Sequence, residues 1–176
     1  MEKTREYIQS ELQRIKDLYP GRKEFPKILF WYDTLNDAIM PNLYRSFDCF
    51  VLPTRGEGFG LPMMESMACG VPTIGPAWGG NTEFMNDGNS FLVGGNVVPI
   101  ADQSFLRLQP QYSGQKWFDI NEPELSQKMR WVYDNQDAAK AVALHGAEEI
   151  KDKWTWDNTV GKIYKRLLEI DGGIDV

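Results

Sequence analysis

Histidine is nearly missing from this chain: His145 is the one histidine in 176 residues, and Cys49 and Cys69 are the only cysteines. A protein zinc site needs three or four such ligands at short spacings, so no resident metal is expected. Both cysteines sit in apolar runs, "DCFVLP" and "MACGVP", and read as reduced, buried small hydrophobes. No apolar stretch approaches the roughly 20 residues that cross a bilayer. The opening "MEKTREYIQS" lacks the apolar centre of a secretion signal. A cytoplasmic protein with no membrane span is expected. Basic runs are missing too: 19 Lys+Arg stand against 25 Asp+Glu, a net charge of −6. Nothing there could track a nucleic-acid backbone or an anionic membrane, and nucleic acid is not an expected partner. The chain also has no G-x-G-x-x-G fingerprint, no G-K-[ST] phosphate loop, no internal repeat and no low-complexity segment.

What is present describes a folded protein, with 42% hydrophobic, 25% charged and 12% aromatic residues in a length that suits one domain, 1–176. Ile8, Leu12, Ile15 and Tyr19 recur every three or four positions before Pro20-Gly21, which predicts an amphipathic helix over 2–18. "KILFWY" (27–32) and "DCFVL" (48–52) are short apolar runs of the kind buried as parallel strands, and Pro41 between them is placed to open a helix. The alternation continues with a helix near 61–69 stopped by Gly70, a strand at 72–76, a helix near 81–86 and a strand at 90–93. Residues 94–121 show no clear period and read as a long loop. Three helical pieces follow near 122–135, 137–152 and 155–170, the last with Trp156, Val160, Ile163, Tyr164, Leu167 and Leu168 as an apolar stripe. That stripe packs either on its own sheet or on a partner. The expected class is α/β, a Rossmann-like parallel sheet of about four strands with helices on both faces and a helical C-terminal segment over 122–176.

The chemistry concentrates in "PTRGEGFGLPMMESMACGVP", residues 53–72. The segment leaves a strand and opens a helix, which puts its glycines where an open parallel sheet forms its ligand crevice. A helix beginning near Gly60 or Leu61 leaves its first N–H groups unpaired and carries a partial positive charge, both suited to phosphate. Glu57 precedes that helix and Glu65 lies about one turn inside it, and carboxylates accept hydrogen bonds from hydroxyls. A ligand with an anionic middle and hydroxyl-rich ends meets all three features, and a nucleoside diphosphate sugar is such a ligand. The bland alternative for both glutamates is a solvated loop residue and an exposed helical one.

The run Asp48–Val71, "DCFVLPTRGEGFGLPMMESMACGV", resembles the signature of retaining glycosyltransferases of the GT-B fold, the glycogen synthase and group 1 superfamily. Their Glu-x7-Glu motif matches Glu57 to Glu65 without a gap. The likeness continues through "WGGNTEFMNDGNSFLV" and "YSGQKWFDINEPEL", covering 28 to 170 and loosening after residue 95. The resemblance implies a donor-binding domain in which Glu65 holds ribose hydroxyls and Glu57 lies near the transferred sugar. The backbone of Gly58, Phe59, Gly60 and Leu61 would contact sugar hydroxyls and phosphate, with Thr54 and Arg55 flanking the pocket. Arg55 either orients Glu57, meets the phosphates or is solvated. Asn81, Thr82 and Glu83 read best as a helix cap, and His145 as a helix surface or packing residue. Base contacts would come from backbone near Tyr32 to Thr34. Family members transfer at the front face with retention and without a protein-bound metal, so Glu57 is not assigned as a covalent nucleophile.

The family's donor domain begins with two earlier strands bearing an Arg/Lys pair and follows an acceptor-binding domain. This sequence shows neither, and Arg22 and Lys27 do not fit the basic pair's pattern. The expectation is therefore a donor-binding domain for a UDP or GDP sugar, incomplete and inactive in transfer alone, partnered by a second copy of the chain or by the missing acceptor-binding domain, with "KILFWY" and the last helix offering surfaces to the helix at 2–18, to a second copy of the chain or to a partner subunit. Alternatives are a non-catalytic nucleotide-sugar-binding or scaffolding module and, less well supported for want of a placed histidine, an isomerase or epimerase.

Overall fold

The computed structural model describes residues 2–31 and 33–172, with side chains from residue 5 onward. The chain divides into two compact units at the Asn36/Asp37 boundary, where the sequence had suggested one domain. The first unit holds helix α1 (Glu2–Asp17). Below it a groove of about 690 Å³ is lined by Leu12, Ile15, Tyr19 and Phe25 among others. Lys16 and Arg22 approach the Phe25 ring at 6.0 and 5.4 Å. Residues 27–31 form no strand, and Leu29 and Trp31 are 79% and 68% exposed. The expected strand at 27–32 is corrected to irregular chain, with Tyr32 outside the described residues. An apolar run reports a tendency to be covered, whereas a strand exists only where a second strand supplies a ladder.

The second unit contains helix α2 (Met40–Arg45), strand β1 (Phe50–Val51), helix α3 (Leu61–Ala68), strand β2 (Thr73–Pro76), a 3₁₀ turn (Gly80–Glu83) and strand β3 (Phe91–Val93). The three strands form a parallel sheet in sequential order, with Val51 opposite Ile74 and Ile74 opposite Phe91. Successive side chains on a strand point to opposite faces, and both faces are covered. Phe50 and Leu92 pack on the cluster of Met63, Met67, Phe84, Met85 and Ile150. Val51, Ile74, Phe91 and Val93 belong to a second cluster with Val132, Ala139 and Leu125. This is the expected α/β sheet with helices on both sides, built from three strands.

Residues 94–121 are structured where a long loop was expected. Strand β4 (Gly95–Pro99) pairs antiparallel with strand β5 (Lys116–Ile120), and helix α4 (Gln103–Leu108) with a 3₁₀ turn (Pro110–Tyr112) lies between them in sequence. Strands of five residues are too short for a periodic signal, and their pairing spans too many residues for a turn motif to announce it.

Helices α5 (Glu122–Asp134), α6 (Gln136–Lys153) and α7 (Trp156–Ile170) complete the chain close to their expected limits. Asn121 and Thr155 cap α5 and α7 by accepting from the Glu124 and Asn158 amides. Helix α6 lies on α3, where Lys140 donates to the Gly70 carbonyl at 2.8 Å. Farther along α6, Glu149 accepts from Lys153 and from Asn89 at 2.6 Å each, and these bonds hold its carboxyl below the usual range. Helix α7 buries none of its residues, and Trp156 and Tyr164 on its apolar stripe are 84% and 63% exposed. No helix among the described residues is long and apolar enough to cross a membrane. Both cysteines are free and half-buried, and burial pushes the Cys49 thiol up to about 11.

Candidate functional site

The loop after β1 leaves the sheet at the carboxyl ends of its strands, and a second loop, Ala77–Gly80, leaves β2 beside it. The two are joined through backbone: the Gly80 amide donates to the Glu57 carbonyl at 3.1 Å. A Cβ on Gly80 would sit 2.0 Å from the Gly58 carbonyl oxygen, so only glycine permits this approach. Gly60 caps α3 at φ +91°, a conformation that L side chains rarely adopt. A Cβ there would also meet the Asn81 and Glu57 side chains at 3.1 and 3.3 Å. These contacts shape a tight loop whose form is set by glycine.

The consequence is a run of free donors. Helix α3 has Pro62 in its first turn and no side-chain cap, and the amides of Gly58, Phe59, Gly60 and Leu61 meet no acceptor among the described residues. Glu57 is half-buried beside them, and its carboxylate has no hydrogen-bond or ion-pair partner among the described residues. Glu65 is exposed one turn into α3. Its Oε2 accepts a 3.0 Å hydrogen bond from the Tyr44 hydroxyl. Phe59 fastens the loop to the α6–α7 corner, its ring 5.4 Å from Phe84 and 5.8 Å from Trp154. Thr54 closes a local turn, donating to the Gly56 carbonyl at 2.9 Å.

Arg55 is directed to β5. Its guanidinium lies 4.2 Å from the Trp117 ring centroid and 3.5 Å from Asp119, while its carbonyl accepts from Phe118. It does not touch Glu57. Trp78 stacks on Phe118 at 5.8 Å, so the β4–β5 ribbon forms an aromatic wall beside the loop that sequence periodicity does not reveal. Asn81 departs from its expected capping role: Gly79 precedes the 3₁₀ turn with no side-chain cap. Asn81 is instead fully buried and donates to the Pro76 carbonyl at 2.8 Å, with its Oδ1 lacking a donor among the described residues. Tyr44 was not singled out by the sequence. Its signal is a phenol near the end of a short helix, and only the fold brings it to Glu65. His145 lies exposed on α6. Asp33 and Thr34 are irregular in the first unit, and Tyr32 is outside the described residues.

A separate cavity of about 760 Å³ opens beside Glu83, Phe84, Glu149, Trp154 and Lys162. Neither Glu57 nor Glu65 lines it. No three of His, Cys, Asp and Glu form a group that could hold a metal ion among the described residues.

Residues 7–106 match the glycosyl transferases group 1 family, and the chain belongs to it. D-inositol 3-phosphate glycosyltransferase of Salinispora tropica is 29% identical over 76% of this chain and 22% of its own length. Sucrose synthase 4 of Oryza sativa subsp. japonica is 29% identical over 97% of this chain and 18% of its own. The chain thus spans about a fifth of the length of each of these two relatives. Solved structures share the fold. The C-terminal domain of a glycosyl transferase group 1 family protein from Francisella tularensis superposes with a TM-score of 0.55, at 21% identity, over 85% of this chain and 63% of that one. For sucrose-phosphate synthase from Thermosynechococcus elongatus the TM-score is 0.59, at 17% identity, over 93% and 35%. The fold is that of a GT-B glycosyltransferase domain.

Proposed function

We propose that the loop 53–61 and helix α3 bind a nucleoside diphosphate sugar, of the UDP or GDP type, as donor for retaining glycosyl transfer. The observation that carries this reading is the run of four amides, Gly58 to Leu61, unpaired among the described residues at the glycine-capped start of α3, flanked by two carboxylates eight positions apart. Unpaired amides at a helix N-terminus suit the diphosphate. Glu65 receives the ribose hydroxyls, and Glu57 receives hydroxyls of the transferred sugar and holds it against the leaving phosphate. Thr54 shapes the loop, and Arg55 supports it from outside. No resident metal enters this proposal, following the family resemblance. The two free thiols support a reducing, cytoplasmic setting.

A departing diphosphate needs preorganised positive charge, and Arg55, the cation nearest Glu57 in sequence, is engaged by Trp117 and Asp119. This supports a chain that binds donor but is inactive in transfer alone. It also favours, as a second reading, a module that binds the nucleotide sugar without chemistry. Product formed from donor and acceptor by this chain would overturn the inactivity. Calorimetric titration with UDP, GDP and ADP, then with their sugar conjugates, tests the binding reading. One diphosphate should bind selectively, tighter with sugar attached, and Glu65→Ala should weaken it by at least about tenfold, the scale of hydrogen bonds to a charged group. Equal binding by folded Glu65→Ala would remove the ribose assignment.

A further inference from the structure

We propose that Tyr44 is a positioning residue for Glu65: the hydroxyl on its buried ring fixes the carboxylate in the orientation that receives ribose hydroxyls. This rests on the donor-site reading above. Glu65 is exposed on α3, and a free glutamate there samples many rotamers whose freedom a ligand would have to remove. Tyr44 restricts that freedom before the ligand arrives. It sits on α2, 5% exposed, and its ring meets Phe47 and Phe50 edge-on with centroids 6.3 and 5.6 Å away. The hydroxyl is therefore delivered from a fixed ring to Glu65 Oε2 at 3.0 Å.

The chemistry of the partner matters as much as its position. A lysine or arginine in this place would neutralise the carboxylate and compete for both oxygens. A phenol supplies one O–H donor and no charge. It occupies one direction on Oε2 and leaves Oε1 and the remaining lone pairs for a diol. Burial, and then the bond to Glu65, push the phenol's pKa well above its ordinary value, so it remains a donor throughout the neutral range.

Tyr44→Phe keeps the ring and removes the hydroxyl, which separates positioning from packing. The wild-type chain and this variant are titrated with UDP, GDP and ADP and with their 2′,3′-dideoxy forms. The wild type should prefer the ribose form of its chosen base. Tyr44→Phe should weaken that form about tenfold and the dideoxy form less than about twofold. In a Glu65→Ala background the same change should cost no further affinity, because the group it positions is gone. Equal weakening of both forms, or a further loss in the Glu65→Ala background, would assign Tyr44 to packing and overturn the proposal. A full ribose preference retained by Tyr44→Phe but lost in Glu65→Ala would overturn it while leaving the donor site intact. If the wild type binds none of the diphosphates, or shows no ribose preference, the assignment of Glu65 fails and this inference fails with it.

Discussion

Alanine in place of Gly80 is expected to destabilise the chain by about 1–3 kcal/mol, the range for overpacking a close contact, and to abolish most of its affinity for the diphosphate. The added Cβ would lie 2.0 Å from the Gly58 oxygen, 2.7 Å from the Gly58 carbonyl carbon and 2.9 Å from the Phe59 Cα. All three are backbone atoms, so no side chain can rotate away, and relief requires displacing the loop that carries the free amides. The same shift would stretch the bond from the Gly80 amide to the Glu57 carbonyl. Gly161→Ala, on α7 and outside the loop, is the matched control, because its Cβ would meet nothing within 4 Å. Thermal unfolding and diphosphate titration of both variants check the claim. A Gly80→Ala chain as stable and as competent as Gly161→Ala would show that the two loops do not touch as described.

The second large effect concerns the support beneath the site. Met63→Ala is expected to cost about 2–5 kcal/mol, as large-to-alanine changes in packed cores do. Met63 is fully buried on the inner face of α3 with Met67, Phe84, Met85 and Ile150. Its sulfur fills the space over Gly75, lying 2.8 Å from where a Cβ on that residue would be. The cavity left behind would lie under the helix that presents Glu65, in a domain whose whole stability is on the order of 5–15 kcal/mol. A drop in melting temperature on the order of 10 °C follows for a chain of this size. Met129→Ala, at a position 46% exposed on α5, should move stability by no more than about 0.5 kcal/mol. Comparable melting temperatures for the two variants would contradict the packing of α3.

These effects show which parts of the molecule a sequence can announce. Helices α5 to α7 lie close to the ranges expected from sequence, and α7 was legible because its apolar positions, from Trp156 to Leu168, recur every three or four residues. The segment 53–65 was legible because glycines at a strand-to-helix turn and two carboxylates at fixed spacing are local facts. "KILFWY" misled because apolar character does not specify a ladder partner. The β4–β5 ribbon was invisible because its pairing, such as Gly95 with Ile120, is a distant one between short strands. Arg55 was read as flanking the pocket, with its role left open among Glu57, the phosphates and solvent, while Trp117 and Asp119, more than sixty residues away, decide where its guanidinium lies. Asn81 looked like a cap because caps are local, and burial against Pro76 is not. Tyr44 was missed for the same reason, since the contact with Glu65 joins two helices across the loop between them.

Backbone amide chemical-shift mapping with the diphosphate that binds tests the central claim most directly. The expected result is a set of perturbed amides centred on Gly58, Phe59, Gly60 and Leu61, extending to Gly79 and Gly80 and fading away from the start of α3. Perturbations gathered instead around Glu83, Trp154 and Lys162, where the separate cavity lies, with the loop unchanged, would contradict it.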